Sequence, residues 1–321
     1  MRSKICIVTG GLGFIGKNIC KDLKYVYDKI IIVDSVNYAS DLPFYEVHLS
    51  SFCDLVIQRV KDLKLESYVE LYERLDILHF ASESHVDNSF NNGSDFVLRN
   101  TYDTAVLLEQ VKHFKTNVRL VHISTDEVYG ERIHDPAKEE DPLLPTNPYS
   151  ASKAAADILA QTYIRCFDID AVILRANNVY GCRQHVEKLI PKAIKYAHSA
   201  RKFPIHGNGK QLRHFLNTQD LSDAILLCLT HWDDLPYNIF NIAGDNEYFI
   251  IDIVSKIYGY FDLDVENFIQ FVDDRPFNDL RYWVDDNRLR SLGWAPKVDF
   301  DKTLAKLCLD LSFKEEVNSK Q

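Results

Sequence analysis

The sequence has no block of clustered Lys or Arg, no Cys-x-x-Cys pair, no internal repeat and no low-complexity stretch. Each absence removes a class of protein. Formal net charge is −10 with no basic cluster, so nucleic acid and anionic membrane are poor partners; only a local basic pocket for a phosphate stays open. Cys6, Cys20, Cys53, Cys166, Cys182, Cys228 and Cys308 are odd in number. They read as reduced, mostly buried thiols of a cytoplasmic protein, not as a disulfide framework or a zinc site. No metal is expected. No apolar run reaches membrane-spanning length. The first apolar run starts at Ile5, too early for the charged and hydrophobic regions of a signal peptide, so none is expected.

What is present is a regular alternation. The 321 residues suffice for one large domain or two intimately joined ones. Ile5-Cys6-Ile7-Val8 predicts a strand ending at Thr9-Gly10-Gly11. Phe14, Ile15, Ile19 and Leu23 then recur on one helical face, and Ile30 to Val33 predicts a second strand that closes on Asp34. Leu75–Phe80, Val118–Ser124 and Ala171–Leu174 predict further strands. Helices are predicted over Phe96–Phe114 and from Asn147-Pro148 to about Phe167, where Asn suits the N-cap and Pro the first helical position. Strands apolar throughout and alternating with helices predict an α/β fold, a Rossmann-type doubly wound parallel sheet covered on both faces. After Arg175 the rhythm loosens, with a turn at 206–210, helices near Thr218–Leu229 and Ile250–Tyr260, and a short strand near Asn238–Ile242. The expected division is 1–175 as the dinucleotide-binding domain and 176–321 as mainly a smaller α/β substrate-binding lobe, with the chain returning to the main sheet near 210–242.

Gly10, Gly13 and Gly16 lie between the first strand and first helix. Glycine there lets the backbone turn tightly, approach a pyrophosphate and pack helix on strand, while the helix N-terminus offers free N–H groups to phosphate. Asp34 ends the second strand about twenty residues on. A carboxylate at that point accepts from the adenosine ribose hydroxyls and repels a 2′-phosphate, which favours NAD over NADP. Tyr149 and Lys153 are four apart and share a helical face. An ammonium near a phenol lowers the phenol pKa, so Tyr149 is expected to accept a proton from a sugar hydroxyl, with Thr125 hydrogen-bonded to the same oxygen. Asp126 and Glu127 follow a strand end, the rim at which open α/β sheets bind ligands. Two carboxyls there can sit at different pKa values, one as acid and one as base. Their spacing leaves open which is which. His85, His122 and His206 are expected to be packing or loop histidines.

Thr9-Gly-Gly-Leu-Gly-Phe-Ile-Gly16, Glu83-Ser-His-Val-Asp87, Ser124-Thr-Asp-Glu-Val-Tyr-Gly130 and Tyr149-Ser-Ala-Ser-Lys153 resemble the nucleotide-sugar 4,6-dehydratases, extended short-chain dehydrogenase/reductases. The resemblance continues through Glu187–Pro191, His206–Gly209, Arg213 and Asp274-Arg275-Pro276, in order and over nearly the whole chain. It implies dehydration of a nucleoside-diphosphate glucose to its 4-keto-6-deoxy product, with Asp126 as acid and Glu127 as base. It implies tightly bound NAD, regenerated each turnover, touched by Gly10, Gly13, Phe14, Ile15, Gly16, Asp34, Phe80, Ala81, Ser82, Tyr149 and Lys153. Ser51-Phe52 stands where the family's Asp-Ile meets the adenine. For the substrate it implies Ser84, Thr125, Asn178, Lys188, Leu189, Arg213, Asn241, Arg275 and Asn278, with the two arginines on the diphosphate. It also implies a homodimer through 96–114 and 149–167.

Asn177–Gly181 and Arg275–Asp279 resemble the UDP-glucose enzymes of rhamnose synthesis more than the dTDP-glucose enzymes. The chain departs from the family at Cys182 and His214, outside the catalytic set. Two other readings use the same scaffold: a nucleotide-sugar epimerase or decarboxylase, against which the Asp126-Glu127 pair speaks, and a non-catalytic NAD-binding regulator, against which Thr125, Tyr149 and Lys153 together speak.

Overall fold

The computed structural model describes residues 4–72 and 74–310. Its main sheet has seven parallel strands: β1 (Lys4–Thr9), β2 (Lys29–Asp34), β3 (Cys53–Ile57), β4 (Arg74–His79), β5 (Val118–Thr125), β6 (Ala171–Ala176) and, after β7 (Asn178–Tyr180), β8 (Phe203–His206) and β9 (Leu212–Asn217), β10 (Ile239–Ile242). Their order is β10-β6-β5-β4-β1-β2-β3. The order reverses between β1 and β4, so the loops leaving those strands part and open a crevice at the carboxyl ends.

The alternation along each strand builds two apolar layers. Cys6, Val8, Ile30, Ile32, Val121 and Leu174 join Ile19 and Leu23 of helix Phe14–Leu23 and Leu221 and Ile225 of helix Thr218–Thr230. Ile5, Ile7, Ile31, Ile77, Leu120 and Ile173 face the other way, onto Leu107, Leu108 and Val111 of helix Asp103–His113 and Ala160 of helix Pro148–Phe167. Burial on both faces is why these strands read as unbroken apolar runs.

The segment predicted as one helix over 96–114 is not uniform. A π-helical stretch, Val97–Tyr102, precedes the α-helix. Within it Asn100 is buried and bonds the Glu83 amide at 2.7 Å, the Glu83 carbonyl at 3.0 Å and Ser152 Oγ at 2.9 Å. The widened turn fits a residue whose side chain and carbonyl both have other work, as π-bulges near functional sites often do.

Beyond β6 a smaller unit carries a second core, in which Ile190 and Ile194 meet Ile253, Ile257, Phe300 and Leu304. It holds two small sheets, β7 and β9 with β11 (Glu247–Phe249), and β8 with β12 (Ile269–Val272). No helix among the described residues is long and apolar enough to cross a membrane.

Candidate active site

The crevice opens into a cleft of about 470 Å³ between the main sheet and the smaller unit. At its floor the glycine loop is fixed by close approach. Gly10 has φ +67°, and a Cβ on it would lie 2.7 Å from the Ala81 amide nitrogen. A Cβ on Gly16 would lie 2.5 Å from the Gly10 carbonyl. Asp34 is buried and already oriented: one carboxyl oxygen accepts from the Leu12 amide at 3.1 Å, the other from the Val36 amide at 2.9 Å and Ser40 Oγ at 3.0 Å. Gly10, Gly13, Phe14, Ile15, Gly16, Asp34, Phe80, Ala81 and Ser82 all line this part of the cleft. The residues fit a dinucleotide: glycine backbone and a helix N-terminus for phosphates, and a fixed carboxylate for a ribose.

The other end is built from β5 and the helix beside it. Thr125 ends β5 and accepts from the Glu127 amide at 3.3 Å, starting a 3-10 turn over Asp126–Tyr129. Asn147 caps helix Pro148–Phe167, its Oδ1 accepting from the Ser150 amide at 2.9 Å. Its Nδ2 donates to Glu127 Oε2 at 3.3 Å. One residue therefore holds both the start of the Tyr149/Lys153 helix and a carboxylate of the acid–base turn. The ammonium of Lys153 is buried and donates to the Ile123 carbonyl at 2.6 Å.

Burial dominates the titration of this end. It pushes Asp126 up to about 8, with the neighbouring Glu127 charge adding to the shift. Glu127 is also raised by burial, while Arg213 and the Asn147 hydrogen bond pull it back. Glu127 lines the cleft; Asp126 is 3 % exposed, lies just beneath the lining, and receives a hydrogen bond from Thr125 Oγ1 at 3.2 Å. Both carboxyls are thus pushed toward the neutral form, and the pair is asymmetric in placement, with Asp126 beneath the lining and Glu127 facing the cleft. Lys153 is lowered to about 8 by burial. Tyr149 does not follow the sequence expectation. In the protein alone burial and the Glu127 charge raise it, and only Thr125 draws it down. Desolvation of a phenolate is the largest influence on it.

Behind the turn lies a buried ion pair. Arg175 forks onto Asp157 at 2.8 and 2.9 Å and donates to Tyr129 Oη at 2.5 Å and the Glu139 carbonyl at 3.0 Å. It ties the acid–base turn to the Tyr149 helix.

Of the residues expected at the substrate, Ser84, Thr125, Asn178, Lys188, Leu189, Arg213, Arg275 and Asn278 line the cleft. Lys188 donates to the Ser84 carbonyl at 2.6 Å. Arg213 sits 4.3 Å over the Tyr282 ring and donates to the Asp279 carbonyl at 2.9 Å; Arg275 pairs with Asp87 at 2.7 Å. Two expectations are corrected. Asn241 lies wholly buried on β10, away from the cleft lining, with its side chain saturated by Tyr129, Ala137 and Asp285. It ties β10 to Tyr129, Ala137 and Asp285 and has no side-chain donor left for a sugar. Ser51 and Phe52 precede β3 at its amino end and do not line the cleft; Phe52 packs on the first apolar layer. The carboxyl end of β3 instead presents Gln58, Arg59 and Val60.

Sequence reasoning also missed Asn147 as a site residue, together with Asp279 and Tyr282, whose hydroxyl reaches Glu127 Oε2 at 3.4 Å. The signal for Asn147 was present as a helix cap close to Tyr149.

Fold and site together define a Rossmann-type member of the short-chain dehydrogenase/reductases with an acid–base pair added to its Tyr/Lys pair. Comparison with known proteins narrows this. The family model described as GDP-mannose 4,6 dehydratase matches residues 7–307. A trifunctional UDP-glucose 4,6-dehydratase/3,5-epimerase/reductase of Arabidopsis thaliana is 39% identical over 312 residues, covering 95% of this chain and 46% of that protein. The chain thus spans a little under half the length of that plant relative. The dTDP-D-glucose 4,6-dehydratase of Mus musculus is 35% identical, covering 95% of this chain and 87% of the relative. The crystal structure of dTDP-glucose 4,6-dehydratase from Streptomyces venezuelae with NAD bound superposes with a TM-score of 0.87 at 32% identity, covering 98% of each chain. The chain belongs to the nucleotide-sugar 4,6-dehydratase family.

Proposed function

We propose that this chain is an NAD-dependent hydro-lyase that converts a nucleoside-diphosphate glucose to its 4-keto-6-deoxy product, a first step toward a deoxysugar such as rhamnose. The carrying observation is the asymmetric Asp126-Glu127 pair beside Tyr149 and Lys153. UDP-glucose is the first candidate substrate, supported by the plant relatives, and dTDP-glucose the second, supported by the animal and bacterial ones.

NAD bound in the crevice supplies the hydride acceptor at the start of turnover and the donor at its end. The chain's own residues handle protons. Tyr149, raised in the protein alone, would take the proton of the sugar 4-hydroxyl as its phenolate, the positive nicotinamide of bound NAD supplying the charge that lowers it, and Thr125 holds that oxygen by a hydrogen bond. A ketone at C4 acidifies the proton on C5, which Glu127 removes as the cleft-facing base and returns to C5 once C6 has been reduced. Asp126, kept protonated by burial, gives its proton to the 6-hydroxyl, which departs as water. Arg213 and Arg275 are placed for the diphosphate, where a guanidinium fork suits phosphate oxygens. Catalytic roles therefore go to Thr125, Asp126, Glu127, Tyr149 and Lys153, the last as the cation that fixes the helix and its field.

Incubation of the purified chain with UDP-glucose and with dTDP-glucose, read by mass spectrometry, tests this. Loss of one water with no net NADH is expected from one of them. Unchanged mass with galactose formed would establish epimerisation instead.

Two further placements belong to the same proposal. The seven cysteines are free, consistent with the reducing cytoplasm. Val97, Leu98, Tyr102 and Ile158 are exposed on segments 96–114 and 149–167, which suits a homodimer across those helices. Light scattering should return twice the chain mass.

A further inference from the structure

Past Asp34 the cleft runs on to Gln58, Arg59, Val60, Arg99 and Asp103. These residues come from three segments, with Arg99 on the π-helical stretch Val97–Tyr102. Gln58–Val60 leave the carboxyl end of β3, one strand outside β2, and the Gln58 amide donates to the Asp34 carbonyl at 2.9 Å. Asp103 opens helix Asp103–His113, which packs beside the segment following β3 in the second apolar layer. Arg59 and Asp103 meet as a fork: Nη2 to Oδ1 at 2.7 Å and Nε to Oδ2 at 3.3 Å. The Asp103 side chain is 7% exposed and that of Arg59 24%. Two bonds fix the plane of the guanidinium as well as its position.

In a crevice of this topology the carboxylate at the end of β2 meets the adenosine ribose, so the base lies beyond it. We infer that Arg59, held flat by Asp103, is the platform on which the adenine of the dinucleotide stacks; this rests on the dinucleotide reading above. A guanidinium is planar, weakly hydrated and stacks on aromatic faces, including those of nucleobases. The base contact is thus a stack on a braced cation at the end of β3, not the Ser51-Phe52 contact read from the sequence.

Calorimetric titration of the full chain, freed of endogenous dinucleotide, with ADP-ribose and separately with nicotinamide mononucleotide tests the inference. Arg59→Ala should weaken ADP-ribose about tenfold, the scale of one stacked base, and leave nicotinamide mononucleotide unchanged. Arg59→Lys keeps the charge without the plane and should not restore ADP-ribose affinity. Asp103→Asn, which loosens the fork while keeping its shape, should fall between Arg59→Ala and the wild type. Equal loss for both ligands, no loss in any variant, or full rescue by lysine would overturn the platform. Failure of the wild-type chain to bind ADP-ribose at all would instead overturn the dinucleotide reading on which it stands.

Discussion

The two ends of the cleft are made from different materials. The floor at Gly10–Gly16 is backbone shape, in which close contacts leave no room for a side chain. The end at Thr125–Glu127 is buried side-chain charge, in which Asp126, Glu127, Tyr149 and Lys153 all titrate away from their ordinary values because water is excluded. The first end can be damaged by adding a single carbon and is indifferent to pH. The second tolerates isosteric change in shape and depends on where each proton sits. Holding a cofactor and moving protons thus place opposite demands on one continuous cavity.

The largest expected effect separates the two ends outright. Glu127→Gln keeps the shape and removes the base, so turnover should fall by about 10²–10⁴-fold while bound NAD, read by its absorbance after denaturation, stays at the wild-type level. Wild-type turnover in this variant would show that Glu127 is not the base. Gly16→Ala does the reverse. Its Cβ would lie 2.5 Å from the Gly10 carbonyl and 2.7 Å from Gly11 Cα, and relieving that overlap costs about 1–3 kcal/mol. The variant should lose most of its dinucleotide and lower its melting temperature, with Glu127 and Tyr149 untouched; full NAD retention would break the comparison. The smallest effect is the pH profile. Asp126 acts protonated and has a raised value of about 8, so the acid is lost as pH rises through that point. Lys153, lowered to about 8, loses its cation over the same range. Turnover should therefore decline above pH 8, steepening toward about a hundredfold per unit because two protons are required, while NAD content stays level. A flat profile to pH 10 would contradict both assignments.

The first half of the fold was legible because strands buried on both faces need no polar residue, and the glycine loop and Asp34 carry their geometry in residue type. β3 was not, because Asp54 interrupts its apolar run at the sheet edge. That one omission left Ser51-Phe52 among the expected cofactor contacts, although neither lines the cleft. The strands of the smaller unit are three to six residues long and include Pro204, Arg213 and His214, so no period could announce them. Asn241 shows the limit of motif matching: an asparagine at a position matched to the family's substrate contacts serves as a buried tie once Tyr129 and Asp285 close around it. The Tyr149 pKa departs for a related reason, since spacing shows that a lysine is near but not how deeply the phenol is buried.

Asn147 carries a consequence for how this sequence can drift. As a helix cap alone it could be exchanged for Ser, Thr or Asp with little loss. Its amide also meets Glu127, and each of those substitutes fails there: aspartate would set a second negative charge against the base, and the hydroxyls are too short to span both partners. Two tolerances that are wide separately intersect at nearly a single amino acid. Among functional descendants of this chain the position should vary far less than ordinary capping sites, although it neither touches the reacting carbon nor belongs to any catalytic motif.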